Sequence, residues 1–499
     1  MSAKKKRILF WLEDHYHHFG IAKSLQDLYD CDLFGIISSS PGAKKFYLEQ
    51  NLLGLTKSWF LRDAVDVNRK NFDLSFLESF EKNYGISIWK LVSGERFFNT
   101  FSKYHHFTHD EILSIIEQEV KFFESVLSEA KPDYVIMRIP EFHDIDLLYR
   151  MCLKLKIKPL ILDYTRFGYR CLINSKPDSV IDFKKSPVPK NLKNFVELRE
   201  HVDKYSVQHN LVISTRRGSK KSFLKAGLKF LSSNDNVEFR NYYQNIEKTK
   251  FKVFLKESKL LKHSSQRKSY IDQNFLKSIN LNNPFVFFPL HFEPEQTLLI
   301  KTPYFTNQIE VITNIAKSLP VGFTLLVKEH PAMKLSGWRK VSDYKKISDI
   351  PNVELIHPSV SNDKIIPKSS LVITISGTSG LEAAFYEKSS IVFTDVNYSK
   401  LSSVYRLENW NDLEHAISLS LTSKVDISEL NQFVEHVESI SFPFDIWALE
   451  QLSDELFSYG GFLTGSNLSV DLMRKFLQDN KLSFELLAKE HIKKIENDF

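Results

Sequence analysis

Leu371-Val372-Ile373-Thr374-Ile375-Ser376-Gly377-Thr378-Ser379-Gly380-Leu381-Glu382-Ala383-Ala384 reads as an apolar strand, a turn of small and hydroxyl residues, then a helix. The strand, Leu371 to Ile375, carries its polar groups to one end. That end is the carboxyl edge, where open α/β sheets bind their ligands. Backbone N–H groups at the start of the helix Gly380 to Tyr386, with three hydroxyls beside them, suit a phosphate, and the helix dipole favours negative charge there. Ser379 and Glu382 also fit a capping box, and the two readings can coexist. No Gly-Lys-Ser/Thr follows, so the pattern is not one of ATP hydrolysis.

Two neighbouring stretches repeat the design. The strand Phe285 to Leu290 opens into Pro289-Leu290-His291-Phe292-Glu293-Pro294-Glu295-Gln296-Thr297, which brings a histidine and two carboxylates to one edge. Thr324 to Lys328 opens into Lys328-Glu329-His330-Pro331, and Lys328 with His330 suits a phosphate or the carboxylate of an acidic sugar. Pro331 restricts His330 to extended backbone. With the strands Val353 to Ile356 and Ile391 to Thr394 and the helix Pro303 to Leu319, this predicts a Rossmann-like domain over 281–425.

Towards the N-terminus the rhythm is the same. Arg7 to Leu12 (strand), His18 to Tyr29 (helix) and Leu33 to Ile37 (strand) form a βαβ unit. Asp110 to Ala130, Tyr134 to Ile139, Asp144 to Leu155 and Pro159 to Leu162 continue it. This gives a first α/β domain over 1–175, with an aromatic-rich insertion at about 43–105. Its strand ends carry Glu13-Asp14-His15-Tyr16-His17-His18, Arg138-Ile139-Pro140-Glu141 and Asp163-Tyr164-Thr165-Arg166. Such bursts would line the opposite wall of an interdomain cleft, and Glu13, Asp14, His17 and Glu141 are the candidates there for a catalytic base. Arg138, Asp163 and Arg166 would meet the acceptor.

Residues 176–280 read as a mostly helical, basic connecting segment. Between Lys248 and Lys268 there are eight Lys/Arg residues against the single acid Glu257. A solvated helix face is the plain reading, and contact with anionic lipid or glycan the alternative. From about 426 to 499 the periodicity is purely helical.

The chain has 499 residues, enough for two or three domains, and a formal net charge of +6. That excess is small for nucleic-acid binding, and no recognition module accompanies it. The three cysteines, Cys31, Cys152 and Cys171, are scattered, which suits a reducing compartment. Ile8 to Leu12 is too short for a signal peptide's apolar core, so a cytoplasmic location is expected. Asp30-Cys31-Asp32 and Asp144-Ile145-Asp146 could hold a metal by composition, but neither follows a strand. His17 and His18, being adjacent, should point apart. No metal and no cofactor are expected.

Pro289 to Glu295, Lys328-Glu329-His330-Pro331 and Ser376 to Ala383, in that order, resemble the motifs of capsule polysaccharide biosynthesis proteins, which include bacterial Kdo transferases. The His-Pro and Ser/Thr motifs are also similar to those of sialyltransferases that use CMP-sugars. The resemblance covers roughly 280–395 well and 132–173 more loosely. It implies a GT-B fold, two Rossmann-like domains facing a cleft, with a helical C-terminal tail here, and a donor held by the second domain without metal. His330 and the Ser376–Gly377–Thr378–Ser379 turn would bind the donor phosphate, Lys328 would assist, and Glu382 would hold the loop or the sugar. His291 and Glu295 join the catalytic candidates. The expected function is glycosyl transfer from a nucleotide-sugar, a CMP-linked acidic sugar such as Kdo first among them, to a capsular or other surface glycan or glycolipid. Peripheral contact with the inner membrane would accompany it. A nucleotide-sugar 2-epimerase and a non-catalytic nucleotide-sugar-binding subunit are the rival readings.

Overall fold

The computed structural model describes residues 5–98, 104–166, 168–183, 192–203, 241–279, 283–293, 295, 297–459, 463–466 and 468–497. Strand β1, Lys6–Glu13, is apolar from Ile8 to Leu12, and all five residues are at most 2% exposed. A run buried on both faces belongs to a parallel sheet covered by helices on each side. The period of two is still visible. Leu9 and Trp11 face the helix His109–Ala130, while Ile8, Phe10 and Leu12 face the other layer.

The first sheet has seven strands in the order β13-β6-β5-β4-β1-β2-β3. Here β2 is Cys31–Ser38, β3 Lys57–Phe60, β4 Tyr134–Met137, β5 Lys158–Tyr164, β6 Arg170–Asn174 and β13 Phe442–Pro443. β1 to β5 pair in parallel, whereas β6 returns antiparallel on β5 and β13 antiparallel on β6. β3, inside the stretch read as an insertion, is the edge strand. The second sheet has six parallel strands, β12-β11-β10-β7-β8-β9. They are β7 Phe285–Pro289, β8 Thr324–Lys328, β9 Val353–Ile356, β10 Leu371–Thr374, β11 Ser390–Val392 and β12 Val404–Arg406. The chain is thus built from two Rossmann-like domains.

The tail is not purely helical, because β13 joins the first sheet. Two residues are too few to register as a period. The helices Ile446–Phe457, Val470–Asp479 and Lys481–Glu496 pack on the first domain's core through Leu449, Met473, Phe476, Phe484 and Leu487. The first helix, His17–Leu28, lies against the last one. Gly20 allows this approach, since a Cβ there would stand 2.3 Å from the Phe484 ring. No helix among the described residues is long and apolar enough to cross a membrane. The basic stretch forms the helix Lys250–Asn274, in which Ile271 is the buried residue.

One polar cluster lies in the first core. His143 is 1% exposed, with Nδ1 2.9 Å from Glu95 and Nε2 3.1 Å from Glu119. The hydroxyls of Tyr242 and Tyr243 donate to Glu119 and Glu95, tying the connecting segment to the first domain. Burial opposes the imidazolium, but the two carboxylates outweigh it and hold the His143 pKa well above its ordinary 6.5. The histidine's share of the stabilisation is therefore complete below pH 6.5 and is lost as pH rises through the folded value, whereas the share of Glu95, whose pKa burial would raise but His143 lowers, is lost in acid. His143→Gln leaves two buried carboxylates short of a cation and should cost about 3–5 kcal/mol near neutral pH. Urea unfolding over a pH series reads both effects; equal stability of the two proteins at pH 6 would refute the assignment.

Candidate functional site

The carboxyl ends of β7, β8 and β10 lie side by side because these strands are neighbours in the second sheet. Their polar loops therefore converge. At β8, Lys328 is 5% exposed, and its ammonium donates to Asn362 Oδ1 at 2.8 Å. Burial pushes its pKa down to about 8. Asn362 in turn donates to Ser379 Oγ (3.3 Å) and Glu382 Oε2 (3.1 Å), while Thr378 Oγ1 donates to Glu382 Oε1 at 2.9 Å. Glu382 thus grips the turn from two sides. The expected capping box is absent. The helix starts at Ser379 itself, Thr378 is its N-cap without a side-chain cap bond, and Thr378 rather than Ser379 engages Glu382. With Thr378 already in helical backbone geometry, its hydroxyl is set towards Glu382 one turn on.

His330 accepts from Ala332 N through Nδ1 at 3.2 Å, which leaves Nε2 the donor in the neutral ring. His291 is 8% exposed. Its Nε2 accepts from Ser376 N at 3.3 Å and lies 3.3 Å from Thr374 Oγ1. Burial, with the nearby cations, pushes its pKa down to about 3, so the ring is a neutral support for the turn. Gly377 N donates to Thr374 Oγ1 at 3.0 Å. Ser376 Oγ is buried with no hydrogen-bond partner among the described residues.

The sequence reading missed the group that holds these loops together. Arg339, on a loop with Gly337 and Trp338 in left-handed backbone, is 9% exposed at its side chain. It bonds Glu329 (2.8 Å), Glu293 (2.6 Å) and the His291 carbonyl (2.6 Å). Glu329 is fully buried and also accepts from Tyr344 OH and His330 N. Burial raises its pKa against these partners. Tyr398, also missed, donates its hydroxyl to the Gly377 carbonyl. A Cβ at Gly380 would stand 2.5 Å from that hydroxyl. Gly380→Ala must therefore displace Tyr398. We expect a loss of about 1–3 kcal/mol from overpacking, read by thermal unfolding, and weaker ligand binding; an unchanged melting curve would refute the clamp.

On the facing wall, Glu13 is 2% exposed, with Arg138 Nη1 at 3.1 Å from both its oxygens. Arg138 reaches Glu141 with its other amino group at 2.8 Å. Asp14 accepts from Ser40 N at 3.3 Å. Asp163 is buried and accepts from Tyr164 N and Asp178 N, both at 2.8 Å, which makes it an anchor for the loop. Arg166, in left-handed backbone, pairs with Asp178 and stands over the Tyr164 ring. Lys301 of the second domain also pairs with Asp178. Asn397 crosses to the Thr165 carbonyl at 2.9 Å.

Glu295 completes the cleft from the second domain. Burial raises its pKa, Glu141 adds to the rise, and Arg166 opposes it. The two carboxylates are thus electrostatic neighbours across the domains. Pro294 and Gln296 lie outside the described residues. The tail helix adds Trp447, edge-on to Tyr164 at 5.7 Å, and Glu450, whose pKa burial also raises. Neither was legible in the sequence. His17 and His18 do not point apart. Their ring centroids are 4.1 Å apart, because the two residues open the helix beside a left-handed Tyr16. Of the Asp-x-Asp pairs, Asp144 and Asp146 are buried at the start of the helix His143–Lys154, the latter paired with Arg150. Asp30 lies on the surface, paired with Lys5.

Residues 183–401 match the family model described as capsule polysaccharide biosynthesis protein. The match covers somewhat less than half of the chain. It spans β7 to β11 and every loop of the second-domain site. Among solved structures, the β-Kdo 2,7 transferase KpsC of Thermosulfurimonas dismutans is 13% identical over 70% of this chain and 87% of its own, with a TM-score of 0.27. The UDP-GlcNAc 2-epimerase of Methanocaldococcus jannaschii, solved with UDP-GlcNAc and UDP, is 12% identical over 87% of this chain and 99% of its own, at 0.27. Scores this low decide nothing about activity. No curated protein matches the chain.

Proposed function

We propose that the chain is a glycosyltransferase of surface-polysaccharide synthesis, moving a sugar from a nucleotide-sugar, foremost a CMP-linked acidic sugar such as Kdo, to a glycan acceptor. The observation that carries this reading is the convergence of Lys328, His330 and the Ser376–Ser379 turn at adjacent strand ends within the family-matched stretch. Departure of the nucleotide is the costly step. A buried ammonium, the His330 N–H and the Ser376 hydroxyl would face the charge that develops on the leaving phosphate, in a site already held in shape. No metal is needed at that phosphate.

Across the cleft, an acceptor hydroxyl must lose its proton. Glu13 is held at both oxygens by Arg138, and His17 stands against His18 at the start of the first helix. Glu295 suits the role better, since a carboxylate with a raised pKa is a stronger base near neutral pH. Glu295→Gln should lower turnover about 10²–10⁴-fold with nucleotide affinity retained; full turnover in that variant would remove Glu295 from the mechanism.

Calorimetry with CMP, UDP and GDP tests the donor. Preferential binding of CMP supports the acidic-sugar donor. A preference for UDP or GDP discards that donor and keeps the transferase. Nucleotide binding with neither transfer nor epimerisation would make the chain a binding subunit, and sugar conversion without an acceptor would make it an isomerase.

A further inference from the structure

At the junction of β1 and the first helix, Glu13, His17 and His18 each offer a donor atom, and these atoms all lie within 4.8 Å of one another. Among the described residues this is the one such group of His, Cys, Asp or Glu. The three side chains are 2%, 4% and 1% exposed. A second, independent observation marks the same place. Nδ1 of His17 and both ring nitrogens of His18 are buried without a hydrogen-bond partner among the described residues. Leaving buried polar atoms unsatisfied costs about 1–3 kcal/mol each, so something should occupy the space between them.

We propose that Glu13, His17 and His18 form a binding site for a divalent transition-metal ion, Zn²⁺ by its donor chemistry. Two imidazoles and a carboxylate are a nitrogen–oxygen set that suits zinc, at bonds of about 2.0–2.2 Å. Donor atoms around such an ion stand roughly 3.4 Å apart, so the side chains need only small torsional adjustments to close on it. Glu13 also accepts from Arg138, but a carboxylate has about four lone-pair sites and can serve both. The guanidinium charge lowers the affinity without abolishing it.

His491, on the C-terminal helix, is fully buried near His18, and its Nδ1 donates to the Leu487 carbonyl at 2.7 Å. That bond directs the lone pair to Nε2, which has no partner among the described residues. The site belongs to the first domain, whereas the proposed phosphate loops belong to the second. Its test is independent of any transferase activity.

The full chain, stripped with a chelator, is titrated with Zn²⁺ by calorimetry and with Co²⁺ by visible absorption. The expected result is about one equivalent per chain with the intense d–d bands of a tetrahedral cobalt site, and a melting temperature raised by Zn²⁺. His17→Ala, His18→Ala and Glu13→Gln should each weaken binding at least about tenfold and shrink the thermal shift. No stoichiometric uptake by the wild type, with no cobalt bands, would overturn the site and leave buried water as its occupant. Binding unchanged in folded His17→Ala and His18→Ala proteins would overturn it equally. Should those variants fail to fold, wild-type stoichiometry and the cobalt spectrum decide alone.

Discussion

Alanine in place of His330 should lower sugar transfer about 10²–10³-fold, the usual cost of one well-aimed donor to developing charge. The fold should survive. In the wild type, the ring's Nδ1 accepts a local bond from Ala332 N, worth about 1 kcal/mol. The remaining nitrogen carries the proton of the neutral ring, on the edge where Lys328 and the Ser376 turn meet. His330→Gln separates hydrogen bonding from imidazole chemistry. If a donated N–H is all that matters, the amide variant should recover part of the rate. Steady-state kinetics beside a urea unfolding curve make the measurement. Turnover at the wild-type level in the alanine variant would remove His330 from the reaction.

Arg339→Met should be the most damaging substitution to the second domain, at about 3–5 kcal/mol. The guanidinium is the common partner of Glu329, Glu293 and the His291 carbonyl. Burial works against its charge, but Glu329 and Glu293 outweigh burial and hold it protonated. Without it, Glu329 becomes a fully buried carboxylate with Tyr344 OH and His330 N as its remaining partners. The loops after β7 and β8 would then lose the link that sets His291 and His330 in register. Removing both members of a buried pair is milder than removing one. The double variant Arg339→Met with Glu329→Gln should therefore regain a measurable part of the lost stability. Chemical unfolding of the three proteins tests this, and a double variant no better than the single would refute the clamp.

Much of the molecule was legible in the chain. The apolar runs at 8–12, 134–137, 285–288, 325–327 and 371–373 are near-continuous because parallel strands are buried on both faces. Their polar outflows, after Glu13, Arg138, Pro289, Lys328 and Ile375, follow from chain direction, since parallel strands end at one edge. That local pattern gives the two sheets and the end of each strand at which its polar loop emerges. It could not supply the partners. Whether Arg339 meets Glu329, whether Glu141 senses Glu295, and whether the tail helix lays Trp447 beside Tyr164 depend on pairings between residues far apart in sequence. The two-residue strand β13 and the antiparallel β6 were hidden for the same reason. His17 and His18 show the limit most plainly. Regular helix geometry separates neighbouring side chains, but a left-handed Tyr16 and the packing of the last helix turn both rings into one buried space. Periodicity determined the sheets and the edges at which their polar loops gather; long-range packing alone decided which charges meet there and how deeply each is buried.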